Sequence, residues 1–170
     1  MRELWASWRS EFILGEKEKK CIFCKRGRQN RLRRNLILYS GKYSFVIINL
    51  YPYNPGHLMV VPYRHLKKIE SLTDAEHCEM TQLMVLSVKI LKKIFKPHGF
   101  NIGMNLGAVA GAGIKHHLHY HIVPRFIGDT NFLPAVGKTR LMSIGLDQIY
   151  DKLKPEFDRH QKQGKLAHSK

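Results

Sequence analysis

Between residues 117 and 122 the chain reads His117-Leu118-His119-Tyr120-His121-Ile122, an imidazole at every second position. On a β-strand the side-chain period is two and the rise is ~3.3 Å per residue. Three imidazoles then line one face at about 6.6 Å intervals, while Leu118, Tyr120 and Ile122 face the other way. Two chemistries suit such a row. All three rings could hold one metal, although ligand bonds of ~2.0–2.1 Å would require the backbone to distort for the third to converge. Alternatively the rings divide the labour around a phosphate: one free-base imidazole, dominant above a pKa of ~6.5, attacks phosphorus, and its neighbours hydrogen-bond the phosphate oxygens or protonate the leaving group. Just upstream, Gly107-Ala108-Val109-Ala110-Gly111-Ala112-Gly113 is a loop of small residues whose N–H groups can approach a ligand closely. Alone it is a connector; beside the histidines it reads as a phosphate cradle.

These residues need a scaffold, and the chain supplies one. Leu36 to Tyr39, Ser40-Gly41 and Tyr43 to Asn49 read as a hairpin. Tyr51-Pro52-Tyr53-Asn54-Pro55-Gly56 interrupts regular structure, because two prolines remove backbone donors and Gly56 tolerates positive φ. A third strand spans His57 to Pro62. Thr73 with Glu76 forms a capping-box pattern, and Met80, Leu83, Met84, Leu91, Ile94 and Phe95 recur at helical spacing until Pro97. Cys78 is expected there as a small packed side chain, His77 on the helix surface, and His98 on the surface beyond it. Asn101 to Leu106 and His117 to Val123 are predicted strands, and Gly145 to Lys154 a shorter helix. The sum is an α+β fold with a mostly antiparallel five-stranded sheet and one long and one shorter helix. It is expected as one domain over residues 1–153. Residues 154–170, carrying Arg159, Lys162, Lys165 and Lys170, are expected as a loosely held basic tail.

At 170 residues and 19.8 kDa the chain suits one domain, and 44% hydrophobic with 25% charged residues excludes wholesale disorder and fibrous classes. Against 13 Asp and Glu stand 29 Lys and Arg, a net charge of +16, which attracts polyanions: nucleic acid, a polyphosphate or an acidic surface. Residues 17–34 hold Lys17, Lys19, Lys20, Lys25, Arg26, Arg28, Arg31, Arg33 and Arg34, expected as a solvated loop. Met1 to Lys20 interrupts its apolar residues with Arg2, Glu3, Arg9, Glu11 and Glu16, so no secretory signal is expected, and no apolar run approaches the ~20 residues of a membrane span. A cytoplasmic location follows as the expectation. Cys21, Cys24 and Cys78 are too few for a disulfide scaffold, and Cys21-x-x-Cys24 alone fits zinc, redox chemistry or accident.

His117 to Arg125 resembles the signature of the histidine triad family. Gly56-His57-Leu58-Met59-Val60-Val61-Pro62 with His65, and Cys21-Ile22-Phe23-Cys24, are similar to other motifs of that family. Leu4-Trp5-Ala6-Ser7-Trp8-Arg9, Tyr51 to His57 and Gly128-Asp129-Thr130-Asn131-Phe132 resemble its branch related to diadenosine tetraphosphate phosphorylase. The match runs from Leu4 to about Leu153. Ser7, His116 and Phe126 depart from the pattern without removing a reacting group; His116 and Lys115 add charge near the entrance.

The resemblance implies the family's nucleotide-binding fold, pairing as a homodimer, and cleavage of a dinucleoside polyphosphate by phosphorolysis or hydrolysis. His119 would attack the α-phosphorus and form a nucleotidyl-histidine, with His121 and His57 on the phosphate and Asn49 holding the ribose hydroxyls. Asn105, Gly111 and Gly113 would form the phosphate-side loop. Cys21, Cys24, His65 and His117 match the ligands of a structural zinc ion, which would withdraw His117 from proton chemistry. The rival reading is a zinc-stabilised, non-catalytic module that binds nucleic acid through its basic segments.

Overall fold

The computed structural model describes residues 21–27, 32–129 and 144–167. The tryptophan motif at residues 4–9, the basic positions 17, 19, 20, 28 and 31, residues 130–132 and Lys170 lie outside the described residues. β1 (Ile37–Ser40) and β2 (Ser44–Ile48) form the expected hairpin, with a register shift between Ile37 and Tyr39. β3 (Leu58–Pro62), β4 (Gly99–Gly103) and β5 (Tyr120–Arg125) complete one five-stranded sheet of order β1-β2-β3-β5-β4, antiparallel throughout. Every residue of β2 and β3 is buried, whereas β4 forms an edge with Asn101, Ile102 and Gly103 exposed.

Helix α1 is Ile22–Gly27, α2 is Asp74–Phe95 and α3 is Leu146–Ala167. Thr73 and Glu76 close the predicted capping box at the start of α2. Met80, Leu83, Ile90 and Leu91 form its buried stripe, and the helix packs against β2, β3, β5 and α3. Cys78 corrects the expectation of a packed thiol: it is exposed, its Sγ 3.4 Å from Gln82 Nε2. Two residues before Met80 turn a helix by ~200°, so Cys78 falls off the buried stripe.

Three other expectations change. Residues 17–34 are not wholly a solvated loop, since they contain α1 with its buried Phe23. The fourth strand begins at Gly99 and ends at Gly103 rather than running from 101 to 106, because its partners on β5 extend from Arg125 to His121. The last helix does not end near Lys154 and give way to a loose tail: α3 passes through Pro155 to Ala167. Ile149, Leu153 and Phe157, one turn apart, are fully buried. Each contributes roughly 1.5–3 kcal/mol by leaving water, which offsets the ~3 kcal/mol that an interior proline costs. Among the described residues no helix is long and apolar enough to cross a membrane.

Candidate functional site

The histidine row divides at residue 120. Regular β5 starts only at Tyr120, and the preceding segment leans on residues 62–66 instead: the Leu118 N–H donates to the Leu66 carbonyl at 2.6 Å, and His117 Nε2–H donates to the Pro62 carbonyl at 2.8 Å. The predicted strand from His117 to Val123 is corrected accordingly. Alternation still turns Leu118 and Ile122 into the core, at 5% and 0% exposure.

His117 thereby joins a cluster with Cys21, Cys24 and His65, whose ligand atoms all lie within 4.8 Å of one another. Its Nδ1 is 3.3 Å from Cys21 Sγ and 3.6 Å from Cys24 Sγ, and His65 Nδ1 is 3.3 Å from Cys24 Sγ. Tetrahedral zinc with bonds of ~2.3 Å to sulfur and ~2.0–2.1 Å to nitrogen sets sulfur–nitrogen separations of about 3.6 Å, so this donor set fits that ion. With Nε2–H committed to Pro62, the lone pair of His117 sits on Nδ1, facing the thiols. Burial pushes the pKa of His117 down to about 4, leaving it neutral as a ligand must be. The three row histidines do not form a metal group of their own among the described residues.

His119 is held by its Nδ1–H, which donates to the His117 carbonyl at 2.9 Å. The free lone pair is therefore on Nε2. Among the described residues Nε2 has no hydrogen-bond partner, so its lone pair is not committed to them. Burial lowers the pKa of His119, favouring the uncharged ring. Phe23, which the sequence reading left without a role, packs its ring 5.0 Å from that of His119 and 5.4 Å from that of His117. Its position between two cysteines was the available signal.

His121 lies beside His119, ring centroids 4.7 Å apart, and its Nδ1 is 2.9 Å from Nε2 of the fully buried His57. The Tyr53 N–H donates to His57 Nδ1 at 3.1 Å. A backbone amide can only donate, so His57 carries its hydrogen on Nε2 and gives it to His121. Neutral His121 then bears its own hydrogen on Nε2. Burial lowers His57 to about 3 and His121 to about 4, aided by the neighbouring rings. The Asn49 amide nitrogen is 3.2 Å from His57 Nδ1 and its oxygen accepts from the Tyr51 N–H at 3.0 Å, which leaves one amide hydrogen and one lone pair for a ligand. Asn105 Nδ2 reaches the Gly111 carbonyl at 3.4 Å. Gly107 and Gly111 have positive φ, and a Cβ at Gly107, Gly111 or Gly113 would meet nothing within 4 Å, so this loop borders open space. His98 is exposed, and its Nδ1 accepts the Ile127 N–H.

This combination defines a class. Residues 32–128 match the HIT domain, and the chain belongs to that family. Over 107 residues it is 46% identical to the AP-4-A phosphorylase of Mycobacterium tuberculosis, covering 63% of this chain and 55% of that one; it spans about half of that relative's length. Over 118 residues it is 30% identical to the bis(5'-adenosyl)-triphosphatase of Saccharomyces cerevisiae, covering 69% of this chain and 50% of that one. A Zn-bound histidine triad family protein from Mycobacterium smegmatis shares the fold, with a TM-score of 0.68 at 19% identity over 85% of this chain and 97% of that one.

Proposed function

We propose that this protein cleaves a dinucleoside polyphosphate at the α-phosphate through a nucleotidyl-histidine. The carrying observation is the 2.9 Å bond from His119 Nδ1 to the His117 carbonyl, which leaves the Nε2 lone pair free on a ring disposed to stay neutral. Nε2 attacks the α-phosphorus; the bond from phosphorus to the bridging oxygen breaks and the polyphosphate half departs. Inorganic phosphate or water then attacks the same phosphorus and restores His119. His121 Nε2–H donates to a phosphate oxygen, with His57 fixing the orientation of that ring. Asn49 takes the ribose hydroxyls, and Asn105, Gly111 and Gly113 border the polyphosphate. The names of the two similar enzymes agree with this substrate class, as does the net charge of +16.

Cys21, Cys24, His65 and His117 would hold a zinc ion, which when bound supplies a structural cross-link: four protein ligands leave no open position for substrate. The exposed edge at Asn101, Ile102 and Gly103 suits pairing of two sheets into a homodimer. Cys21, Cys24 and Cys78, which form no disulfide with one another, suit the reducing cytoplasm.

The test is incubation with diadenosine tetraphosphate, with and without phosphate. ADP plus ATP formed only with phosphate indicates phosphorolysis, and AMP plus ATP indicates hydrolysis; either activity must vanish in His119→Ala while nucleotide binding persists. Turnover that survives His119→Ala, or no turnover of any nucleotide ester, overturns the reading. Salt-sensitive RNA or DNA binding without turnover would favour the nucleic-acid module instead.

A further inference from the structure

Two motifs without a role in the chemistry above, the Tyr51-to-Gly56 loop and the Gly128-Asp129 turn, meet next to His57. Asn54 is 4% exposed and its amide nitrogen donates to the Pro124 carbonyl at 2.7 Å and to Asp129 Oδ2 at 2.8 Å, a contact spanning 75 residues of sequence. Asp129 is itself fixed: Arg125 Nε donates to Oδ2 at 2.6 Å, Arg125 Nη2 to Oδ1 at 3.0 Å, and the Phe126 N–H to Oδ2 at 3.3 Å. The remaining arm of Arg125, Nη1, donates to Asn101 Oδ1 on β4 at 2.7 Å.

The anchored loop turns back onto His57 twice. The Asn54 carbonyl accepts the His57 N–H at 3.1 Å, and the preceding residue, Tyr53, aims its N–H at His57 Nδ1. That amide, together with the Asn49 amide nitrogen 3.2 Å away, excludes a hydrogen from Nδ1 and directs Nε2–H toward His121. Were the loop to shift, His57 could adopt the other neutral form; His121 would then either face its lone pair or move its own hydrogen to Nδ1 to restore the bond, giving up the Nε2–H it offers to the phosphate.

We propose that Asp129, acting through Asn54, is a positioning residue for the reaction: it anchors the turn that presents the Tyr53 N–H to His57, and so favours the direction of hydrogen bonding in which His57 donates to His121 and His121 keeps its hydrogen on Nε2. This role rests on the reading of His119, His121 and His57 as the reacting group.

The variants are Asn54→Ala and Asp129→Ala, with Asp129→Asn, which keeps the size and one acceptor, as the variant of record if Asp129→Ala does not fold. Two quantities are measured on the full chain. Steady-state kinetics should show kcat lowered about tenfold to a hundredfold, as misplacement of a catalytic ring does, with KM changed less than twofold. Nitrogen NMR of labelled histidine should show the single Nε2–H form of His57 in the parent replaced by a mixture in the variants. Variants that keep a single form of His57, or that raise KM while leaving kcat unchanged, overturn the proposal. The NMR reading needs no turnover, so a parent without His119-dependent activity would defeat the proposed reaction while the positioning of His57 is still decided.

Discussion

The ring of Phe23 sits 5.0 Å from that of His119, and Phe23 stands between the two cysteines that approach His117. The proposed nucleophile therefore rests against a side chain carried by the candidate metal-binding cluster. Phe23 is 2% exposed, so Phe23→Ala should cost about 3–5 kcal/mol, the usual range for a buried Phe. Unfolding in urea reads the loss. Phe23→Leu refills most of the space and should cost markedly less. Equal costs for the two would mean that α1 does not pack as described.

Removal of metal should act on the same element. α1 has six residues, too few to persist as an isolated helix, and Phe23 and the two cysteines are among its anchors, with the Arg26 carbonyl accepting from Asn35 Nδ2 at 3.3 Å. Purified protein should contain about one zinc per chain, four-ligand sites of this kind being structural. Chelation or Cys24→Ser should lower the melting temperature and open residues 21–27 to limited proteolysis. Unchanged melting after complete metal removal would show that the cluster is not a cross-link.

Acid should destabilise the protein earlier than its carboxylates alone require. Burial holds His57 down to about 3 and His121 down to about 4, whereas the unfolded chain binds those protons near the ordinary value of ~6.5. The unfolded state therefore binds more protons between these limits. Their contribution is fully present above ~6.5 and is lost as pH falls toward the folded values, by at most about 1.4 kcal/mol per pH unit for each ring. Urea midpoints at pH 7, 6 and 5 measure the slope, and His57→Gln should flatten it by one proton. An unaltered slope in that variant would exclude His57 as a source.

Phe157 is fully buried, with its ring 6.4 Å from that of Tyr39 on β1. Phe157→Ala should cost about 3–5 kcal/mol, and truncation after Lys154 should cost at least as much. A truncated chain with parental stability would restore the picture of a dispensable tail.

What the sequence disclosed depended on the range of the interactions. The period-two histidines and the capping box at Thr73 and Glu76 are local patterns, and local patterns survive without coordinates. The exposure of Cys78 was also readable, from its phase against Met80. Other features were not local. The start of β5 at Tyr120 depends on hydrogen bonds from His117 and Leu118 to Pro62 and Leu66. The contact of Asn54 with Asp129 joins two loops whose composition predicts only that they are loops. Continuation of α3 past Pro155 was decided by Phe157, whose burial outweighs a breaker that sequence rules take at face value.

His117 offers its ring to the thiols and its carbonyl to His119. With only Leu118 between the two rings, neither can migrate along the chain independently. An inserted or deleted residue here would unfasten both at once, and an engineer who relocated the cysteine clasp would inherit the task of rebuilding the reactive ring's support.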